Sequence, residues 1–247
     1  YPPSPNPKGG IAVKNAGIAW NLTSMDWGVT PLHWQKGLFP DPFHPRISVI
    51  HEGIDTRRAS PEPPGQYSVQ LGEKNNTILN NGDEVVTFTS RYLEQLRGFE
   101  TVYKAINTIL SQRPNAHIII IGRKKGTAYG NNPFKDKTLL QNLQETVDPL
   151  VDPQRVHFLG RVKYDEFIAV MKLSSVHIYL THPMMLSWSM MEAMSCGTPV
   201  VGSNNPPVTE LVEHGHNGLL VDFLDHEAVA DGVVRILDDS DLRNKMA

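Results

Sequence analysis

The chain has 247 residues, of which 40% are hydrophobic and 20% charged, with a formal net charge of -3 and a pI of about 6.4. This is the composition of a globular protein long enough to bury a sizeable core. It offers no broad basic field for a nucleic-acid backbone, so nucleic acid is not an expected partner, although a phosphate site needs only two or three well-placed cations.

One cysteine, Cys196, excludes an internal disulfide and points to a reducing, cytoplasmic setting. Apolar runs such as residues 116–121 are too short to cross a bilayer. No signal peptide opens the chain, and it starts without Met, which suggests a piece of a longer protein. Asn-x-Thr triplets at Asn21 and Asn75 read as chance in such a setting.

Residues 1–65 are rich in Pro and Trp and carry only short apolar runs. The pattern predicts a loop over 1–10, a short helix over 11–24, a turn and second short helix over 29–36, and a brief strand over 47–50. Residues 57–65, with Pro61, Pro63, Pro64 and Gly65, read as a linker. Such a region cannot bury a core alone and needs a partner layer. Residues 66–82 predict a hairpin or flap closed by Asn81-Gly82.

From residue 84 the pattern becomes regular. Strands are predicted at 85–89, 117–121, 156–159, 176–180, 199–202 and 219–221. Helices are predicted at 98–113, 139–147, 164–172, 190–196, 208–213 and 226–237. Strands that lack polar alternation are buried on both faces, and their alternation with helices implies βαβ units. The expected fold is α/β, a doubly wound parallel sheet over residues 66–247 preceded by a partial segment of another domain over 1–65. Ligands of such sheets bind beyond the carboxyl ends of the strands.

Two loops at those ends carry suggestive groups. Arg91 follows the first strand of the sheet, and Arg97 opens the next helix six residues later. Two guanidiniums at one sheet edge suit a pyrophosphate between them; they also fit two solvated arginines, one paired with Glu94. The second loop is Leu186-Ser187-Trp188-Ser189, which leads into a helix carrying Glu192. Amides opening that helix can hold an anion, and Glu192 can accept hydrogen bonds from sugar hydroxyls. The same residues also fit a plain helix cap.

The string from Glu192 through Cys196-Gly197-Thr198-Pro199 to Val201 resembles the signature of the retaining GT-B glycosyltransferases of family 4 (group 1). The likeness continues through residues 207–212, then Gly215 and residues 217–221. Arg91 and Arg97 fall where that family places an Arg and, six residues on, a Lys before Gly. Residues 51–55 resemble its interdomain linker, and residues 156–160 the strand before its nucleobase loop.

The resemblance implies the C-terminal, donor-binding domain with the tail of the N-terminal domain. It implies that Arg91 and Arg97 bind the donor diphosphate and stabilise the leaving group, and that Glu192 binds the ribose. The amides of Ser187, Trp188 and Ser189 would hold phosphate and sugar, with Arg161 near the base. The implied donor is a UDP- or GDP-linked sugar, bound without a cofactor or metal. The implied acceptor is a glycan, or a lipid-linked molecule that would bring peripheral association with the inner membrane face. Met184 stands where the family has its first glutamate, eight residues before Glu192, which opens the question of sugar orientation. An inactive nucleotide-sugar-binding piece, a sugar epimerase and a phosphorylase are the competing readings. Residues 238–241, Asp-Asp-Ser-Asp, are expected to be a frayed polar end rather than a metal motif.

Overall fold

The computed structural model describes residues 7–63, 65, 67–71, 77–129, 132–134 and 136–247. Pro64, Gln66, Asn75 and residues 1–6, which the sequence reading mentions, lie outside the described residues. The chain divides into two compact units, Tyr1–Gly53 and Ile54–Ala247. The sequence reading carried the first region and its linker on to residue 65. Yet Ala59 is fully buried with Leu71, Leu79 and Cys196, and its carbonyl accepts from Ser195 Oγ at 2.6 Å.

The first unit holds α1 (Pro7–Ser24), β1 (Gly28–Thr30), α2 (His33–Lys36) and β2 (Ile47–Val49), with β1 and β2 parallel. α1 starts earlier than the sequence pattern indicates because Pro7, which lacks an N–H, suits a first helical turn. Among the described residues of this unit, only Leu22, Leu32 and Ile47 are buried hydrophobics, while Trp20 and Trp27 are exposed.

The second unit opens with an antiparallel hairpin, β3 (Ser68–Leu71) and β4 (Thr77–Asn80), pairing Ser68 with Asn80. Asn81-Gly82 therefore follows the hairpin and does not close it. Asn81 instead fastens the preceding segment, its Nδ2 donating to the Glu62 carbonyl at 2.8 Å.

A six-stranded sheet follows, all parallel: β5 (Val85–Tyr92), β6 (His117–Arg123), β7 (Val156–Gly160), β8 (Val176–Tyr179), β9 (Val200–Ser203) and β10 (Gly218–Val221), in the order β10-β9-β8-β5-β6-β7. Between the strands run α3 (Phe99–Gln112), α4 (Leu139–Thr146), α5 (Tyr164–Leu173), α6 (Trp188–Ser195) and α7 (Pro206–Thr209), and α8 (His226–Asp238) and α9 (Ser240–Met246) close the chain.

The expected doubly wound sheet is what forms, and β6 shows why. Its side chains alternate between the two faces. Ile118 and Ile120 join a core with Phe99, Ile106 and Val233, while Ile119 and Ile121 join another with Ile168, Met171 and Ala193. Each such side chain contributes about 1.5–3 kcal/mol on full burial. Being covered on both sides, β6 gains by an apolar residue at every such position, which suits the unbroken Ile run.

The acidic stretch at 238–241 is not frayed. Asp239 caps α9, its carboxylate accepting from the Leu242 amide at 2.8 Å, and Asp238 pairs with Arg113. Among the described residues, no helix is long and apolar enough to cross a membrane.

Candidate functional site

The chain winds from β5 outward through β6 and β7, then returns to place β8 on the other side of β5. The strand order thus reverses between β5 and β8, and ligands of such sheets bind beyond the carboxyl ends at that point. The sequence-predicted residues gather along this edge in two groupings.

The first is built around Arg97. A bulge in the β5–β6 pairing between Thr89 and Tyr92 lets β5 continue past Arg91. A short 3-10 turn, Gln95–Arg97, then precedes Gly98. Gly98 is left-handed, with φ 70°, and a Cβ there would collide with Leu180; only glycine lets this turn sit so close to the end of β8. The tight approach delivers Arg97, whose Nη1 donates to Tyr179 Oη at 3.3 Å and to Thr181 Oγ1 at 3.0 Å. The guanidinium also lies 5.1 Å from the centre of the Tyr129 ring. Tyr129 is anchored in turn, because the buried Glu94 carboxylate accepts the Ala128 and Tyr129 amides at 2.9 and 3.0 Å. Glu94 thus serves the loop after β6.

Tyr179 Oη also accepts the Ser187 amide at 2.7 Å. One hydroxyl therefore ties Arg97 to the start of α6, and burial raises the pKa of that phenol while Arg97 and the Ser187 amide work against the rise. Ser187 is the N-cap of α6, its Oγ accepting from the Ser189 amide at 3.4 Å and from Ser189 Oγ at 3.1 Å. The amide of Ser187, which the sequence reading assigned to phosphate, is engaged within the protein because the buried Tyr179 oxygen needs donors. Trp188, the first residue of α6, is 56% exposed, Met185 is exposed and Met184 is half-buried.

The second grouping is an open recess of about 620 Å³ over β5, β6 and β7, lined by Ser90, Arg91, Arg123, Arg161, Tyr164 and Phe167, among others. Gly122 shapes its floor, since a Cβ there would lie 2.8 Å from the Ser90 carbonyl oxygen and from Leu93. Arg91 lies within β5, not after it, and is exposed, as is Arg161. Arg123 Nη1 donates to Tyr92 Oη at 3.1 Å.

Glu192 joins the two groupings. It sits in the second turn of α6, only 4% exposed, and its Oε1 accepts from Tyr164 Oη at 2.8 Å. Burial raises the Glu192 pKa above the usual carboxylate value, while the Tyr164 hydrogen bond works against that rise. The Tyr164 phenol is itself pushed up to about 12, first by desolvation and then by the Glu192 bond.

The sequence reading expected Arg91 and Arg97 to flank one anion. In the structure Arg97 stands with Ser187 and Ser189, and Arg91 stands with Arg161 in the neighbouring recess. Tyr179, Thr181, Tyr129 and Tyr164 were not singled out. A Tyr ending a short strand just before the Thr181 loop was the available signal for Tyr179.

A doubly wound parallel domain with this edge is that of a GT-B glycosyltransferase. Residues 72–247 match the glycosyl transferases group 1 family, and residues 1–59 match the glycosyl transferase family 4 group. The chain belongs to the glycosyl transferases group 1 family.

Among its relatives, the D-inositol 3-phosphate glycosyltransferase of Corynebacterium jeikeium is 26% identical over 81% of this chain and 45% of that protein. A GDP-mannose-dependent monoacylated alpha-(1-6)-phosphatidylinositol monomannoside mannosyltransferase of Corynebacterium glutamicum is 24% identical over 79% of this chain and 48% of its own length. The chain thus spans about half the length of these relatives. In structure it resembles Anabaena HepE in complex with UDP and glucose, with a TM-score of 0.70 and 20% identity, covering 94% of this chain and 59% of that one. It also resembles the C-terminal domain of the group 1 protein LpcC from Francisella tularensis, with a TM-score of 0.62 and 20% identity, over 78% and 92%.

Proposed function

We propose that the chain supplies the donor-binding part of a retaining glycosyltransferase, which moves a hexose from a nucleoside-diphosphate sugar to an acceptor. The observation that carries this reading is the Arg97 corner. A half-buried guanidinium, held by the hydroxyls of Tyr179 and Thr181, stands beside the start of α6 at the switch point of the sheet. As the glycosidic bond breaks, negative charge grows on the departing diphosphate. A cation and a helix N-terminus already fixed in place stabilise that charge without reorganising. In this reading no metal is needed.

Arg91 and Arg161 contact the remaining phosphate and the base from the recess, and Glu192 takes the ribose. The guanidiniums and phenols of the recess suit the carbonyl oxygens of uracil or guanine. HepE was solved with UDP, and the corynebacterial mannosyltransferase is GDP-mannose-dependent, which supports a UDP- or GDP-sugar. For retention, the leaving phosphate takes the acceptor proton on the same face of the sugar, so no protein nucleophile is required. The acceptor, a glycan or a lipid-linked molecule at the inner membrane face, is bound mainly by the rest of a longer protein. The chain alone therefore binds donor without turning it over. Met184, in place of the family's first glutamate, leaves the sugar with one fewer polar partner and favours the same outcome.

The test is a thermal-shift series with UDP, GDP, ADP and their sugars. A ligand at 100 times its Kd adds about 2.7 kcal/mol by mass action. UDP or GDP should raise the midpoint; a series in which no nucleotide moves it rejects the reading.

A further inference from the structure

Glu192 is the one acidic group that the donor-site reading assigns to the nucleotide, and it is not free. Its Oε1 accepts the Tyr164 hydroxyl at 2.8 Å, across 28 residues of chain, from the first residue of α5. Tyr164 is held from its other side. The Arg58 guanidinium lies 4.5 Å from the centre of its ring and pairs with the adjacent Asp165. A phenol ring beneath a guanidinium is attracted to it by the ring quadrupole. The segment that carries Arg58 is fastened to α6 as well, through Ser195 Oγ on the Ala59 carbonyl at 2.6 Å. Arg58, Tyr164 and Glu192 thus form one chain of contacts, from the segment after Gly53 to the second turn of α6.

We propose that Tyr164 is a positioning residue for the nucleotide ribose. Its hydroxyl takes one carboxylate oxygen of Glu192 and leaves the other for a sugar hydroxyl, while Arg58 sets the Tyr164 ring. The inference rests on the donor-site reading and adds a residue, with its support, that this reading does not contain. The geometry has two consequences. A carboxylate with one oxygen already satisfied has a single orientation to offer, so the ribose hydroxyls are told apart. And a donor hydrogen bond favours the ionised carboxylate against the desolvation that opposes it.

The other groups near this pair are Cys196 at the end of α6, Arg58 and Asp55 in the preceding segment, and Lys172 and Glu62 beside Cys196. Cys196, whose pKa is raised to about 11 by burial, stays neutral near pH 7. The charges of Lys172 and Glu62 meet in an ion pair at 2.6 Å. Tyr164 is therefore the group whose removal changes the ionisation of Glu192.

The experiment is isothermal titration of the 247-residue chain and its Tyr164→Phe and Arg58→Ala variants with UDP and GDP. The 2′-deoxy and 3′-deoxy forms of each nucleotide are titrated alongside, from pH 4.5 to 8. Circular dichroism melts report whether each variant is folded. Tyr164→Phe should weaken the ribonucleotide about fivefold, hardly change the deoxy form that lacks the recognised hydroxyl, and move the acid limb of binding to higher pH. Arg58→Ala should do the same to a smaller extent. A folded Tyr164→Phe protein with the wild-type ratio of ribo to deoxy affinity and an unmoved acid limb overturns the proposal. If the wild type binds nucleotide but treats ribo and deoxy forms alike, this inference falls and the donor site stands. If the wild type binds no nucleotide, both fall.

Discussion

The Arg97 corner and the Arg91 recess lie along the same sheet edge but are built differently. Arg97 is half-buried, and its charge is shared among two hydroxyls and an aromatic face before any ligand arrives. Arg91 and Arg161 are exposed on the wall of an open recess. A cation fixed in this way loses little freedom on meeting an anion and acts where water is partly excluded, so its interaction is strong. An exposed cation must give up side-chain freedom and is screened by salt. The corner is suited to stabilising developing charge, and the recess to holding the outer parts of the ligand.

The contrast is broken most directly at Arg97. Arg97→Ala should cost about 100-fold in affinity for UDP or GDP by titration calorimetry, since charge-assisted hydrogen bonds are worth about 1.5–3 kcal/mol each. An Arg91→Ala protein that loses more than Arg97→Ala would show that preorganisation does not set the ranking. Next comes Tyr179→Phe, which keeps the ring in the core but removes the oxygen that both Arg97 and the Ser187 amide use. Its expected cost is about tenfold in nucleotide affinity. The two donors it strands should also lower the melting temperature, by about 2–4 °C for each kcal/mol lost. Unchanged binding by a folded Tyr179→Phe protein would mean that Arg97 is held well enough by Thr181 alone.

The two groupings also differ in how far they could be read from sequence. The sheet was legible because β6 is a run of four isoleucines and because strand and helix patterns alternate in order. Arg91, Arg97 and Glu192 were legible as residue types at fixed spacing. What holds them was not. Tyr164 reaches Glu192 across 28 residues, Arg97 reaches Tyr179 across 82, and Glu94 takes amides 34 and 35 residues away. No period or local motif encodes such pairs; they follow from which strands become neighbours. The same cause misplaced the hairpin turn. Asn81-Gly82 has good turn chemistry, but the pairing of Ser68 with Asn80 puts it beyond the ladder. Arg91 looked like a loop residue only because the β5 bulge cannot be seen in the sequence.

Within the recess the effects should be smaller and of a different kind. Arg91→Ala and Arg161→Ala are each expected to weaken nucleotide binding about threefold to fivefold at low salt, and less as ionic strength rises toward 0.5 M. Exposed charges are screened within a Debye length of about 10 Å at 0.1 M. Arg97→Ala should keep most of its loss across the same salt series. Parallel salt curves for all three variants would erase the distinction between the two groupings.

The smallest effect expected is on the fold itself, at Glu192, where the two groupings meet. Burial raises the folded-state pKa of this carboxyl above its ordinary value of 4.5. The unfolded chain therefore releases the proton at lower pH than the folded one does. The sign follows: the folded form is best off while Glu192 is protonated, and stability declines as pH rises from the unfolded value through the raised folded one. Glu192→Gln mimics the protonated carboxyl in shape and carries no charge to desolvate. Its melting temperature should match the wild type near pH 4 and exceed it by a few degrees, at about 2–4 °C per kcal/mol, by pH 7.5. Nucleotide affinity should move the other way, because the amide is a weaker acceptor for a ribose hydroxyl. A variant stabilised at neutral pH but poorer at binding is what a carboxylate kept for its ligand at the expense of the fold should give. Equal stability of the two proteins across the whole pH range would instead mean that the Tyr164 hydrogen bond offsets the desolvation of Glu192 entirely.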